Sequence, residues 1–128
     1  MPICILHFMV YIIGINQQKG MERMEKFTYL GEPNCHFEPH RYCGTNNLAL
    51  CIVDSNGEQY CVASVNIANK PLSDDRIAIK NWSENEGVDT FLKKLGIIGA
   101  MVDFVISGFV DIPIYELTEK GKAIFKEV

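Results

Sequence analysis

The chain predicts an α+β domain: a curved, mainly antiparallel sheet with one helix packed on it and a short C-terminal helix. Three observations carry this. The run from Asn46 to Ile67 reads as two alternating strands joined by a tight turn at Asn56-Gly57. Ser83 to Leu95 carries an apolar helical face and is followed by Gly96. Two strand-like runs on either side of Ser107-Gly108 then lead into Thr118, a helix-capping residue type. At 128 residues the chain is long enough for one domain with a real core and too short for two comfortable ones.

The elements follow in order. Phe27 to Leu30 reads as a short strand ended by the breaker cluster Gly31-Glu32-Pro33-Asn34. A second short strand includes Phe37 and another runs to Tyr42, with Pro39 at an edge or between strands. In the hairpin, a two-residue loop at Asn56-Gly57 places Leu50 opposite Ala63, Ile52 opposite Cys61 and Leu48 opposite Val65, which makes one face wholly apolar. Asp54 and Gly57 also suit a type I turn with a bulge, but the register this implies mixes polar groups into the core, so the two-residue parity is preferred. Cys51 and Cys61 then point to opposite faces and cannot pair. The second face, with Cys51, Tyr60 and Val62, is the place to look for function.

After the loop Asn69 to Asp75, Arg76 to Lys80 alternates as a brief strand. Ser83 and Glu86 fit a capping box for a helix of about three turns with Val88, Phe91, Leu92 and Leu95 on its buried face. Gly87 is the cost, about 1 kcal/mol in a helix interior. This helix is expected against Leu48, Leu50, Ile52, Cys61, Ala63 and Val65 of the hairpin. Met101 to Ile106 and Phe109 to Leu117 are strands, Pro113 implying an edge or a bulge. Thr118 caps a final helix through Lys126 that Gly121 weakens.

Residues 27–128 read as the single α+β domain, and residues 1–26 as a translated leader or a poorly packed N-terminal segment. The apolar run Ile3 to Ile15 falls short of the roughly 20 residues a membrane span needs, and it lacks the basic start and small-residue cleavage site of a signal peptide. Lys19-Gly20 precedes Met21 and Glu22-Arg23 precedes Met24; both pairs can be encoded by purine-rich codons resembling a ribosome-binding site. The favoured expectation is a translated leader, with synthesis starting at Met21 or Met24. A strand added to the sheet edge and a membrane-surface anchor are the alternatives.

Composition narrows the function classes. Hydrophobic residues at 48% and charged residues at 22% indicate neither disorder nor a membrane protein. A net charge of -4 argues against a sequence-independent grip on nucleic acid, which needs a concentrated Lys/Arg face. Five cysteines is an odd number without framework spacing, which reads as reduced thiols in a cytoplasm.

Cys35, His36, His40 and Cys43 fall within nine residues, and thiolate with imidazole suits tetrahedral zinc. Their spacing matches no standard finger or ribbon, and in an extended segment adjacent Cys35 and His36 diverge. This alternative, a small Cys/His metal-binding protein, therefore stands behind buried cysteines and surface histidines. Cys43 or Cys51 with His36 or His40 could form a nucleophile and base, but no elbow or helix N-terminus activates a thiol. Glu84 and Glu86 are explained by capping, and Asp74 and Asp75 by a solvated loop. No residue is assigned as catalytic and no cofactor is implied. Trp82 is either a hot-spot anchor or a staple packed against Val88 or Phe91; Trp82, Tyr60 and Tyr42 are the candidate partner contacts. A nucleic-acid module remains an alternative if Tyr29, Phe37, Tyr42 and Tyr60 share an exposed face with Arg41 and lysines.

Several segments together resemble an uncharacterised family of small proteins found in gut bacteria, their phages and mobile elements. They are Tyr42 with Asn46-Asn47-Leu48-Ala49, Asp54 to Gly57, Val65-Asn66-Ile67, Ser83 to Gly87, Gly96-Ile97 and Ser107-Gly108-Phe109. The resemblance covers most of Phe27 to Leu117, and the order of the segments is more specific than any one of them. It implies a cytoplasmic accessory role, fits a late start and transfers no catalytic residues; the Cys35 to Cys43 cluster departs from it. Separately, Leu117 to Lys122 resembles the strand-to-helix junction after the wing in winged-helix regulators, over about ten residues and without the preceding recognition helix. The leading expectation is a non-enzymatic binding protein of a mobile element or phage that acts through a protein partner and antagonises host defence.

Overall fold

Seven strands and two short helices follow one another in the computed structural model, which describes residues 25–128. The apolar run and the alternative starts Met21 and Met24 lie outside the described residues. The strands are β1 (Phe27–Tyr29), β2 (Glu32–Arg41), β3 (Leu48–Val53), β4 (Gln59–Val62), β5 (Arg76–Ala78), β6 (Ile98–Ser107) and β7 (Val110–Leu117); the helices are α1 (Val88–Lys94) and α2 (Glu119–Ile124). All strand pairs are antiparallel, in a four-stranded sheet β1-β2-β3-β4 and a three-stranded sheet β5-β7-β6. A bridge between Ser64 and Ile79 stitches the sheets, with Val65 N–H donating to Ala78 O and Lys80 N–H to Ala63 O. The α+β architecture is the one the sequence predicts.

The hairpin keeps the expected strand register and corrects the expected turn. Ile52 faces Cys61, Cys51 faces Val62, and Ala63 N–H donates to Leu50 O. The loop itself is the type I alternative. Gly57 N–H donates to Asp54 O, Asp54 N–H donates to Glu58 O, and Gly57 takes the left-handed conformation at φ 81°. The Asp54 carboxylate also accepts from the Asn56 and Glu58 amides, as an Asx turn does. One residue is thus added to the loop, and the register shift between Ile52 and Val53 absorbs it by leaving Tyr60 as a bulge. Burial of the Leu48, Leu50 and Ile52 face forces this second irregularity, because a one-residue slip turns every side chain over.

Two short strands were expected where the single ten-residue β2 runs. The turn takes Leu30 from the expected strand and only Gly31 from the breaker cluster, both at positive φ, and Asn34 takes the left-handed conformation where the β1–β2 register shifts. Pro39 lies beyond the part of β2 that β1 reaches, so it is locally at an edge as expected. Pro113 instead occupies the central strand β7. Its carbonyl accepts from Ile79 N–H just past the end of β5, so the donor it lacks faces a place where the ladder has already ended.

The expected three-turn helix is broken. Ser83 has φ 55° and makes no capping bond, Ser83–Asn85 is a 3-10 turn, and Gly87 at φ 88° restarts the chain as α1. The predicted C-cap holds: Gly96 N–H donates to Lys93 O and Ile97 N–H to Leu92 O, a Schellman motif. Val88 and Leu92 pack into one core with Leu48, Leu50, Ile52 and Ala63 of the hairpin, as expected. Val65 departs from that set and joins a second cluster built on Ile67, Ala78, Ile112 and Ile114. Thr118 caps α2 by accepting from Gly121 N–H, and Phe125 closes the main core from below the helix.

Candidate functional site

Alternation along β2 decides the fate of the Cys/His cluster. Cys35 and Phe37 point into the main core, whereas His36, Glu38 and His40 pair with Val53, Cys51 and Ala49 on the opposite face. Cys43 follows the strand and is exposed. Cys35, His36, His40 and Cys43 therefore do not converge, which corrects the zinc alternative. Among the described residues no group of three or more His, Cys, Asp or Glu side chains could hold a metal ion. The histidines are not surface residues either: both are buried, with His40 Nε2 2.9 Å from Glu38 Oε1, while His36 Nε2 and His40 Nδ1 have no partner. Burial holds His36 below the ordinary histidine range, so its ring is neutral at pH 7.

The hairpin's second face is consequently closed over β2 and β3, where Ala49, Cys51 and Val53 are buried, and it opens only towards β4. There a groove of about 580 Å³ runs along the outer side of β4, lined by Tyr29, Leu30, Tyr60, Cys61, Lys80 and Asn85 among others. Its walls are built by short-range geometry. Asn85, buried in the 3-10 turn, donates from Nδ2 to the outward-facing carbonyl of Val62 at 2.6 Å. The Cys61 sulfur lies 3.7 Å from Asn85 Oδ1 and 4.0 Å from the Tyr29 hydroxyl. The bulged Tyr60 stands edge-on to Tyr29, ring centroids 5.9 Å apart. Lys80 and Glu84 form an ion pair of 2.8 Å at the rim.

Both ends of the groove depend on backbone that the local sequence disfavours. Leu30, 71% exposed, is left-handed at φ 49° in the β1–β2 turn, and Ser83, at φ 55°, precedes the lining residues Glu84 and Asn85. Among the described residues, the other non-glycine residues at positive φ are all asparagine, which tolerates that region. A large exposed apolar side chain held in a costly conformation is the kind of local violation that marks functional sites. Sequence reading missed Leu30 and Asn85. The available signal for Leu30 was its position before Gly31 between two strand-like runs, which marks a hairpin turn.

Burial pushes the Cys61 thiol up and the Cys51 thiol to about 12, so both are protonated at neutral pH and neither is an activated nucleophile. The buried histidines of β2 do not line the groove. None of Cys43, Cys51, His36 and His40, the pairing considered as nucleophile and base, lines this groove.

Of the expected partner contacts, only Tyr60 reaches this surface. Tyr42 is buried with its hydroxyl 2.9 Å from Ser64 Oγ, a structural bond between the hairpin and its base. Trp82 is half-buried against the second cluster with Ile67, Ala78, Ile112 and Ile114, so it neither staples Val88 or Phe91 nor stands out as an anchor. Tyr29 and Phe37 are buried as well, and Arg41 is engaged with Asn46 O and Asp74. Of the four rings that base stacking relies on, Tyr29, Phe37, Tyr42 and Tyr60, only Tyr60 is exposed. Comparison with known proteins returned no match among protein-family models, curated proteins or solved structures.

Proposed function

We propose that this chain is a non-enzymatic accessory binding protein that acts through a protein partner, holding an extended segment of it in the groove between β4 and the 3-10 turn. The observation that carries the reading is the exposed, left-handed Leu30 beside Tyr60 at the mouth of that groove. β4 is the last strand of its sheet, so an incoming segment can lie along its edge up to Val62, whose carbonyl Asn85 already holds, while apolar side chains settle on Leu30 and Tyr60. The Lys80–Glu84 pair at the rim supplies polar contacts that fix direction.

The thiols of Cys35, Cys51 and Cys61 are free, which fits a reducing, cytoplasmic setting. No helix among the described residues is long and apolar enough to cross a membrane. The resemblance of several segments to small proteins of gut bacteria, their phages and mobile elements motivates the finer reading: an accessory factor of such an element, with antagonism of host defence as its use. Selection of the full chain against a displayed random-peptide library tests the binding mode. Enriched extended peptides that are lost on Tyr60→Ala support it; no peptide enrichment together with retention of labelled single-stranded DNA or RNA overturns it.

A further inference from the structure

A second surface, away from the groove, also lacks a partner. β6 is the outer strand of the β5-β7-β6 sheet and carries one charge, Asp103, in ten residues. Met101 is 55% exposed, Phe104 52% and Ile106 68%, and Phe109 at the tip of the β6–β7 hairpin is fully exposed. Among the described residues no strand pairs with the outer edge of β6. Proteins usually protect such an edge with lysine, proline or a covering loop, and β6 has neither of those residue types.

We infer that this edge pairs with a second copy of the same chain, the two β6 strands running antiparallel about a two-fold axis at Val105. The segment Asp103 to Ser107 is the regular part of β6, pairing residue for residue with Ile114 to Val110 of β7, whereas the strand is irregular before Asp103. Centring the axis on Val105 uses that regular segment alone. It sets Asp103, which accepts from Phe104 N–H and pairs with Lys70, opposite Ser107 of the other copy, so the two carboxylates do not face each other. Phe104 then lies opposite Ile106 twice over, and Met101 comes level with Phe109, a favourable sulfur–aromatic pairing. An edge of this kind is self-complementary in an antiparallel arrangement, which closes as a dimer and leaves no free β6 edge.

Taking about 200 Å² for a large side chain and weighting it by exposure, Met101, Val102, Phe104, Ile106 and Phe109 present on the order of 600 Å² per copy. Edge pairing leaves part of each side chain on the open face, so two copies bury at most about 1,200 Å² of side chain, at the lower bound of stable specific interfaces, with the backbone pairing added to it.

Sedimentation equilibrium of the full chain tests this directly. Wild type is expected at twice 14.5 kDa, and Phe104→Lys and Ile106→Lys at 14.5 kDa with unchanged circular dichroism. Amide exchange on the wild type makes the test independent of how the variants fold: outward amides of Asp103 to Ser107 exchange slowly when concentrated and quickly on dilution. A wild-type monomer up to its solubility limit, a dimer that survives both substitutions, or concentration-independent exchange overturns the assignment. So does a monomer that co-floats with phosphatidylcholine vesicles, which would give the patch to a lipid surface.

Discussion

Gly121 lies against the backbone of Ile97 so closely that a Cβ at this position would overlap the Ile97 carbonyl oxygen and stand 3.1 Å from Leu117 Cδ2. The same carbonyl accepts from Thr118 N–H at 3.1 Å, and the Thr118 hydroxyl donates to the carbonyls of Gly96 and Ile97. The end of α1 and the start of α2 are thus tied at one point. A glycine that weakens the helix as an isolated segment is what lets the helix sit where Phe125 can reach the core.

Gly121→Ala is accordingly expected to destabilise the fold by about 2 kcal/mol or more, because the backbone oxygen cannot move aside as a flexible side chain would. Helix propensity alone predicts the opposite sign, a gain of about 1 kcal/mol. Urea denaturation of wild type and variant decides between them; a higher midpoint for the variant would show that the site has room.

Features that rest on alternation or local capping were legible in the sequence. The Leu50, Ile52, Cys61 and Ala63 register, the Gly96 C-cap, the Thr118 N-cap and the strands on either side of Ser107-Gly108 follow from pattern alone. What failed depended on neighbours distant in the chain. Nothing local says that Ser83 will turn left-handed so that Asn85 can satisfy Val62, or that Trp82 will pack on Ile112 and Ile114. The candidate groove shares this origin. Of its walls Tyr60 and Val62 were anticipated, whereas Leu30, Lys80 and Asn85 meet there through tertiary packing.

Leu30→Asn should raise stability by about 1 kcal/mol, since asparagine adopts the left-handed region with less strain and the side chain replaced is exposed. If the groove binds a protein segment, the same variant should lose affinity for peptides selected by the wild type. A higher urea midpoint with weakened peptide binding is the expected pair of results. Unchanged peptide binding would remove Leu30 from the site.

His36 links stability to pH. Burial lowers its pKa and outweighs the upward pull of Glu38 and Asp54, with Lys26 acting in the same direction as burial. In the unfolded chain the ring regains its ordinary value near 6.5, so below that pH the unfolded state binds more protons than the folded one. Stability is therefore fully present above the unfolded value and is lost as pH falls from there towards the lowered folded value. Urea midpoints measured from about pH 7.5 down to about 5.5, above most carboxylate titration, should decline, and His36→Gln should flatten the decline. An equal slope in the variant would place the linkage elsewhere.

Gly87 separates the continuous helix of the sequence reading from the broken one in the structure. In a continuous helix from Ser83 to Leu95, Gly87→Ala replaces a poor helix former and adds about 1 kcal/mol. In the structure Gly87 is the left-handed hinge at φ 88° between the 3-10 turn and α1, where an alanine Cβ meets no neighbour but the backbone conformation itself is strained. The substitution should then cost about 1–2 kcal/mol, and more if it draws Asn85 off the Val62 carbonyl. The urea midpoint reads the sign: a fall places the hinge at Gly87, and a rise would restore the continuous helix and with it remove one wall of the groove.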